Sequence, residues 1–331
     1  MDKVKVVVMT PVSDESLKLI AGVSPRVNMI VASDLFRQER KGDAEAGKKL
    51  DAILADAEVV FGRFELEQNV TTRAPKLKWI QTMGAGVNRY LTKELIQSPI
   101  VMTNASGIHA TPIGEYIVTM MLMLTKDIPL YYQRQQKKEW KKTDVGVLRD
   151  KTVGIVGLGN IGREAARLSK AFGAKVVSMH RSAKVGERAR YVDIMLPRER
   201  LTELLKQCDF VVLSVPLTAE TKNLISEREL RAMKPSAYLI NIARGDIVDE
   251  PVLIRALKEH WIAGAALDVF SKEPLPKESE LWELPNVILT PHVAAQTPEQ
   301  DWLATQLFAD NLRRYLQGKR LRNIVNKQRG Y

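Results

Sequence analysis

A chain of 331 residues with 45% hydrophobic and 27% charged residues is long enough for two ordinary cores and carries no compositional sign of disorder. Its one cysteine, Cys208, excludes an internal disulfide and reads as a buried spectator in a reducing compartment. The net charge of +11 is spread along the chain and reads as a solvated basic surface, so no nucleic-acid partner and no metal site are expected.

The N-terminus runs straight into a strand-like apolar segment, 4–9, too short for a signal-peptide core. The longest apolar-rich run, 116–124, is too short to span a bilayer, and a cytoplasmic location without a membrane partner is expected. From 4 to 103, strand-like and helix-like segments alternate: 4–9, 14–21, 27–32, 44–55, 59–61, 77–82, 93–97 and 100–103. That alternation predicts a parallel sheet covered by helices. Within it, Gly84-Ala85-Gly86-Val87 follows a strand as a glycine turn. It reads either as a plain strand-to-helix turn or as an anion nest of backbone N–H groups.

Segment 111–125 predicts a buried helix with Pro112 near its start, where proline is tolerated. Segment 127–150 is polar, weakly periodic and carries Trp140; it reads as an arm or lid whose shape the pattern does not fix.

The stretch 151–182 reads as strand, glycine turn, helix and second strand. The apolar run Val153-Gly154-Ile155-Val156 leads into Gly157-Leu158-Gly159-Asn160-Ile161-Gly162, a G-x-G-x-x-G. Ile161, Ala165, Leu168 and Phe172 then recur at helical spacing, and 175–179 is strand-like. The first glycine permits the tight turn, the second lets backbone approach a pyrophosphate, and the third allows close helix packing. Alone, the motif is also a glycine turn that binds nothing; the strand before it and the helix after it favour a dinucleotide cradle.

Beyond the cradle, 201–207 predicts a helix and 210–215 a buried strand ending at Pro216. Segment 237–243 is a further strand, and Asp249-Glu250-Pro251 opens a helix through His260. Segments 263–270 and 287–290 are strands, and 298–316 is a closing amphipathic helix with Trp302, Leu307 and Leu312 among its apolar residues.

In open α/β sheets ligands bind beyond the carboxyl ends of the strands. Three polar residues stand there: Arg244 after Asn241-Ile242-Ala243, Glu273 after Asp268-Val269-Phe270, and His292 after Thr290-Pro291. A guanidinium, a carboxylate and an imidazole suit reduction of a 2-oxo acid, as a fixed cation for the substrate carboxylate, a partner for the proton donor, and the donor itself. Singly, each also fits a surface charge or a structural histidine.

Together, Gly157-Leu158-Gly159-Asn160-Ile161-Gly162, Asn241-Ile242-Ala243-Arg244-Gly245, Ala266-Leu267-Asp268-Val269-Phe270 through Glu273-Pro274, and Thr290-Pro291-His292-Val293-Ala294 closely resemble the D-2-hydroxyacid dehydrogenase family. Gly84-Ala85-Gly86-Val87 and Pro216-Leu217-Thr218 with Glu220-Thr221 match in order and spacing, so the resemblance covers nearly the whole chain. It implies an α/β fold of two doubly wound parallel-sheet domains. A Rossmann domain, 104–289, is inserted into a flavodoxin-like substrate-binding domain, 1–103 and 290–331, with the two crossings as hinges.

The resemblance also implies roles. Arg244 binds the substrate carboxylate and carbonyl oxygen, His292 protonates that oxygen, and Glu273 hydrogen-bonds His292, favouring its charged form. Ala85, Gly86 and Val87 offer N–H groups to the carboxylate, and Asp268 holds the nicotinamide amide. Cofactor contacts are implied at Gly157, Gly159, Asn160, Ile161, Gly162, Pro216, Thr221 and Ala243. Two nucleotide domains pair in the family, which implies a homodimer through the 127–150 arm, with Trp140 reaching the neighbouring site.

The departures are informative. NAD-preferring relatives carry an acidic residue after the second cradle strand, whereas this chain has His180-Arg181-Ser182. Without a competing acid, Arg181 and Ser182 suit a 2′-phosphate, so NADP(H) is expected over NAD(H), which stays possible. Asn88 replaces an aspartate common after the glycine turn. The expected activity is NADPH-preferring reduction of a small 2-oxo acid, glyoxylate or hydroxypyruvate first, to the D-2-hydroxy acid. Glu273 counts against formate, where relatives carry glutamine. A D-3-phosphoglycerate dehydrogenase stays open, although little chain follows the final helix for an appended regulatory domain; so does an NAD(H)-sensing corepressor-like scaffold. Pocket walls are expected from the Gly62-Arg63-Phe64-Glu65 loop, from around Trp302 and from Trp140.

Overall fold

The computed structural model describes residues 3–62, 69–87, 90–181, 183–184 and 186–330. The first half of the chain forms β1 (Val4–Val8), α1 (Asp14–Ala21), β2 (Val27–Val31), α2 (Ser33–Glu39), α3 (Ala44–Leu54), β3 (Val59–Phe61), α4 (Val70–Arg73), β4 (Trp79–Gln81), α5 (Lys93–Gln97) and β5 (Val101–Thr103). Next come α6 (Ala110–Thr125), α7 (Ile128–Gln136), β6 (Thr152–Val156), α8 (Asn160–Ala171), β7 (Lys175–Met179) and β8 (Ile194–Leu196). The remainder is α9 (Leu201–Gln207), β9 (Phe210–Leu213), α10 (Glu227–Ala232), β10 (Tyr238–Asn241), α11 (Glu250–Lys258), β11 (Gly264–Leu267), β12 (Val287–Leu289) and α12 (Gln300–Leu316). Two compact units result: Met1–Ile108 with Thr297–Tyr331, and His109–Gln296.

The first unit is built on a five-stranded sheet in the order β2-β1-β3-β4-β5, every pair parallel. This is the flavodoxin-like order. The alternation in β1 serves two cores, since Val4, Val6 and Val8 pack with Phe61, Trp79 and Phe308, while Val7 packs with Leu50, Leu54 and Ile80. Helix α12 belongs to this unit because Phe308 stacks on Phe61 at 4.2 Å between ring centroids and Leu312 is fully buried. The chain then returns to the sheet edge, where Val325 N–H donates to the Met102 carbonyl and the Lys327 ammonium donates to the carbonyls of Leu95, Ser98 and Ile100.

The second unit carries a seven-stranded sheet in the order β12-β11-β10-β9-β6-β7-β8, again parallel throughout. Counted from β6, this is the Rossmann order 3-2-1-4-5-6 with one strand added. The two α/β folds are therefore those expected. Contrary to the simple apolar stripe, α8 buries the small residues Gly162, Ala165, Ala166 and Ser169, and Phe172 is 43% exposed at its C-cap. Small residues are needed because α6 lies close: a Cβ on Gly114 would sit 2.6 Å from Glu164 Cγ.

The chain crosses between units at 108/109 and 296/297. Residues 290–296, read with the substrate domain at the sequence level, thus pack with the seven-stranded unit. The cause is local, since the buried Asp268 carboxylate accepts from Thr290, Val293 and Ala294. Strand β11 is shorter than 263–270 because its partner ladders on β10 and β12 end at Leu267. The 127–150 arm contains α7, and Trp140 beyond it is 95% exposed.

Candidate active site

The cradle follows directly from its glycines. Gly157 adopts φ +105°, and a Cβ there would lie 2.7 Å from Val215 Cγ1 and 2.9 Å from the Ser214 carbonyl oxygen. A Cβ on Gly162 would stand 2.1 Å from the Gly157 carbonyl oxygen, so only glycine lets α8 close on the turn. At Gly159 an added Cβ would meet nothing within 4 Å, leaving that side of the turn open. Among the described residues, the N–H groups of Gly159 and Ile161 donate to no acceptor. Orphan donors at the N-terminus of a 12-residue helix, beside an open approach, fit the pyrophosphate of a dinucleotide.

Flanking loops complete the cradle's surroundings. His180 and Arg181, both exposed, follow β7 at the carboxyl edge, and the next residues include Lys184 and Arg188. Ser182 lies outside the described residues, as do Asn88 and Arg63, Phe64 and Glu65. After β9, the Thr221 hydroxyl donates to the Pro216 carbonyl at 2.6 Å and accepts from the Thr218 N–H at 2.8 Å, so it staples the 216–221 turn. Arg198, just past β8, holds the same turn through the Glu220 carboxylate and carbonyl at 2.5 and 2.7 Å.

Arg244, Asp268 and His292 stand beyond the carboxyl ends of three adjacent parallel strands, β10, β11 and β12. The buried Asn241 shapes the first turn: its amide donates to the Arg244 carbonyl at 3.0 Å, and its oxygen accepts from the Ala243 N–H at 3.1 Å. Arg244 Nη1 donates to the Ala243 carbonyl at 2.5 Å. Gly245 lies against the next loop, since a Cβ there would fall 1.9 Å from the Phe270 carbonyl carbon. That loop carries Glu273, whose Oε1 accepts from the Phe270 N–H at 3.1 Å. Its other oxygen, Oε2, lies 2.8 Å from His292 Nδ1.

With a carboxylate as acceptor, Nδ1 is the protonated nitrogen, and Nε2 is left to give or take a proton. Both side chains stay open to a small molecule, at 41% exposure for His292 and 37% for Glu273. Asp268, by contrast, is 1% exposed and accepts from Thr290 Oγ1 at 2.6 Å, Val293 N–H at 2.8 Å and Ala294 N–H at 3.0 Å.

The Gly84–Val87 turn belongs to the other unit. Its carbonyls are engaged at Gly84, by the Ala105 N–H and the Thr82 hydroxyl, and at Ala85, by the Asn104 amide. The N–H groups of Ala85, Gly86 and Val87 have no acceptor among the described residues, the arrangement an anion nest requires. Trp302, on α12, is half-buried.

The structure thus gathers Arg244, Asp268, Glu273 and His292 on one sheet edge, with the cradle on the same unit. Sequence reasoning missed Tyr116 and the part of Thr290. The Tyr116 hydroxyl lies 2.6 Å from Thr290 Oγ1. A lone tyrosine hydroxyl within an otherwise apolar helix is the signal that could have found it, because a half-buried phenol needs a partner.

A doubly wound unit with a dinucleotide cradle and a carboxylate-supported histidine beyond neighbouring strand ends defines a nicotinamide-dependent dehydrogenase. Comparison gives the family. Residues 118–294, more than half the chain, match the D-isomer specific 2-hydroxyacid dehydrogenase, NAD binding domain. A glyoxylate reductase of Thermococcus litoralis is 38% identical over 287 residues, covering 82% of this chain and 84% of the relative. A D-3-phosphoglycerate dehydrogenase of Methanocaldococcus jannaschii is 33% identical over 328 residues, 98% of this chain and 59% of the relative. Among solved structures, an NADPH-dependent glyoxylate/hydroxypyruvate reductase from Sinorhizobium meliloti, in complex with NADP and sulfate, superposes with a TM-score of 0.83 at 27% identity, over 99% of this chain and 100% of the other. The chain belongs to the D-isomer specific 2-hydroxyacid dehydrogenase family and is an oxidoreductase acting on CH–OH donors. No helix among the described residues is long and apolar enough to cross a membrane.

Proposed function

We propose that the protein reduces a small 2-oxo acid, glyoxylate or hydroxypyruvate, to the D-2-hydroxy acid, with NADPH preferred over NADH. The observation that carries this reading is the His292–Glu273 pair at 2.8 Å, open to solvent and one strand from Arg244's strand across β11. His292 Nε2 gives its proton to the substrate oxygen, and Glu273 stabilises the imidazolium and fixes the ring. Arg244 binds the substrate carboxylate and carbonyl oxygen, and the N–H groups of Ala85, Gly86 and Val87 bind the carboxylate. A nicotinamide dinucleotide, when bound, supplies the hydride. Gly157, Gly159, Asn160, Ile161 and Gly162 would hold its phosphates; Pro216, Thr221 and Ala243 would line it, and Asp268 Oδ2, with one partner among the described residues, would take its amide.

The preference for NADPH is supported by the basic His180-Arg181-Ser182 run in place of an acid, and by the NADP complex of the S. meliloti enzyme. Exposed Trp140, Tyr132 and Val147 on the 127–150 arm support a homodimer through this segment, with Trp140 entering the partner's site. The single buried cysteine suits a cytoplasmic enzyme.

Steady-state kcat/KM for glyoxylate, hydroxypyruvate, 3-phosphohydroxypyruvate, pyruvate and larger oxo acids, with each cofactor, tests the assignment. Highest kcat/KM on glyoxylate or hydroxypyruvate, abolished by His292→Ala, is expected. A preference for the phosphorylated acid would select the phosphoglycerate reading. No turnover together with dinucleotide-dependent assembly would select the scaffold.

A further inference from the structure

We infer that Tyr116, Thr290 and Asp268 form a hydrogen-bonded brace that positions His292, acting on its backbone while Glu273 acts on its ring. The inference rests on the reading of His292 as the proton donor.

The direction of every bond in the brace can be assigned by counting protons. The N–H groups of Val293 and Ala294 can only donate, and both point at the Asp268 carboxylate. The Thr290 hydroxyl has one proton, which it donates to Asp268 Oδ1 at 2.6 Å. The 2.6 Å contact between Thr290 Oγ1 and Tyr116 must then be donated by the phenol. Burial, reinforced by the charge of Asp268 against the opposing bond with Thr290, pushes this phenol up to about 12, so it keeps its proton. The chain of donors therefore runs one way, from Tyr116 through Thr290 to Asp268.

Its geometry brackets the histidine. Thr290 lies two residues before His292, and Val293 and Ala294 follow it directly. His292 itself adopts φ +55°, a left-handed conformation that non-glycine residues adopt at a cost and keep only when their surroundings impose it. Asp268 supplies that constraint from the end of β11, where it is 1% exposed. Tyr116 extends the constraint to α6, whose neighbours Ile113, Ile117, Met120 and Met121 are buried in the core of this unit. Glu273 alone leaves the backbone at 292 free to rotate away; the brace removes that freedom. None of these three residues needs to touch the substrate to act in this way.

Three variants separate the brace from ordinary packing. Tyr116→Phe removes one donor and keeps the ring; Thr290→Val removes the hydroxyl and keeps the shape; Thr290→Ser restores the hydroxyl. We expect kcat to fall about tenfold for Tyr116→Phe and about a hundredfold for Thr290→Val, with Thr290→Ser close to wild type. A second readout is free of turnover. With only four histidines in the chain, ¹⁵N-histidine spectra of the cofactor-free protein resolve the His292 Nδ1–H bonded to Glu273, assigned by His292→Ala. That signal should be lost or exchange-broadened in Thr290→Val and kept in Thr290→Ser. In a His292→Ala background, Thr290→Val should lower the residual rate no further.

Wild-type kcat and an intact His292 signal in both Tyr116→Phe and Thr290→Val would overturn the brace, as would an equal loss in the His292→Ala background. Undiminished turnover by His292→Ala would instead reject the donor reading on which it rests. An inactive His292→Ala beside a fully active Thr290→Val rejects the brace alone.

Discussion

Gly245→Ala tests whether the reacting groups depend on the close contact between two loops. The added Cβ would fall 1.9 Å from the Phe270 carbonyl carbon, 2.2 Å from its oxygen and 2.2 Å from the Ser271 nitrogen. All three are backbone atoms, so no side chain can swing aside. Restoring an ordinary 3.4 Å contact requires the loops to part by about 1.5 Å. One loop carries Arg244 and the other Glu273, the partner of His292. A displacement of this size in a positioned catalytic group costs on the order of a hundredfold in rate, and overpacking costs roughly 1–3 kcal/mol of stability. We therefore expect kcat/KM for glyoxylate to drop about a hundredfold. The dissociation constant for NADPH, read by quenching of intrinsic fluorescence, should change less than kcat/KM, because the cradle glycines proposed to hold its phosphates lie beyond a different strand, β6. Wild-type kcat/KM in a folded Gly245→Ala protein would refute the argument that the contact aligns Arg244 with the Glu273–His292 pair.

Replacing Arg181 by Ala should raise KM for NADPH by about 10- to 100-fold, the worth of one charge-assisted hydrogen bond to phosphate, while KM for NADH stays within about twofold. An equal effect on both cofactors would place Arg181 elsewhere than at the 2′-phosphate. Burial pushes the Cys208 thiol up to about 12 from 9.0; a raised folded pKa gives stability that is complete below pH 9 and lost as pH rises through 12. Denaturant midpoints should therefore fall from pH 9 upward, less steeply in Cys208→Ala, and a parallel fall would show that the thiol contributes nothing. Lys327→Met strips one cation from the carbonyls of Leu95, Ser98 and Ile100, and should cost the first unit about 1–3 kcal/mol in chemical denaturation.

The sheets were legible because parallel strands buried on both faces read as apolar runs, unbroken in β9 and interrupted only by Lys5 in β1. Short edge elements were not. Strand β8 is three residues, Ile194–Leu196, and only its pairing with β7 distinguishes it from any apolar triplet. Helices α4 and α10, of four and six residues, have too few turns to show a period. At the site, Arg244, Glu273 and His292 were readable because each follows a strand that sequence pattern locates. Thr290 and Tyr116 were not, because their contact joins positions 174 residues apart and depends on tertiary packing that brings α6 to the turn after β12. Ser169 and Asn311 likewise look like surface polar residues on helices, yet both are fully buried, with Asn311 donating to the Gln81 side chain.

The partners the structure gives to His292, Glu273 and Asp268 all lie within His109–Gln296. On the proposed reading of His292 as proton donor, its donation is prepared by the His109–Gln296 unit alone, before any substrate arrives. The Ala85–Val87 turn, proposed to bind the substrate carboxylate through its backbone N–H groups, belongs to the other unit. Two functions are thus separable by mutation. Substitutions that alter the turn, such as Gly86→Pro, which deletes one donor, should raise KM for the oxo acid and leave the His292 Nδ1–H signal in place. Substitutions of the brace should do the reverse, lowering kcat and losing the signal with little change in KM. If Gly86→Pro instead erased the histidine signal, the preparation of His292 would depend on both units, and the division of labour argued from its hydrogen bonds would be wrong.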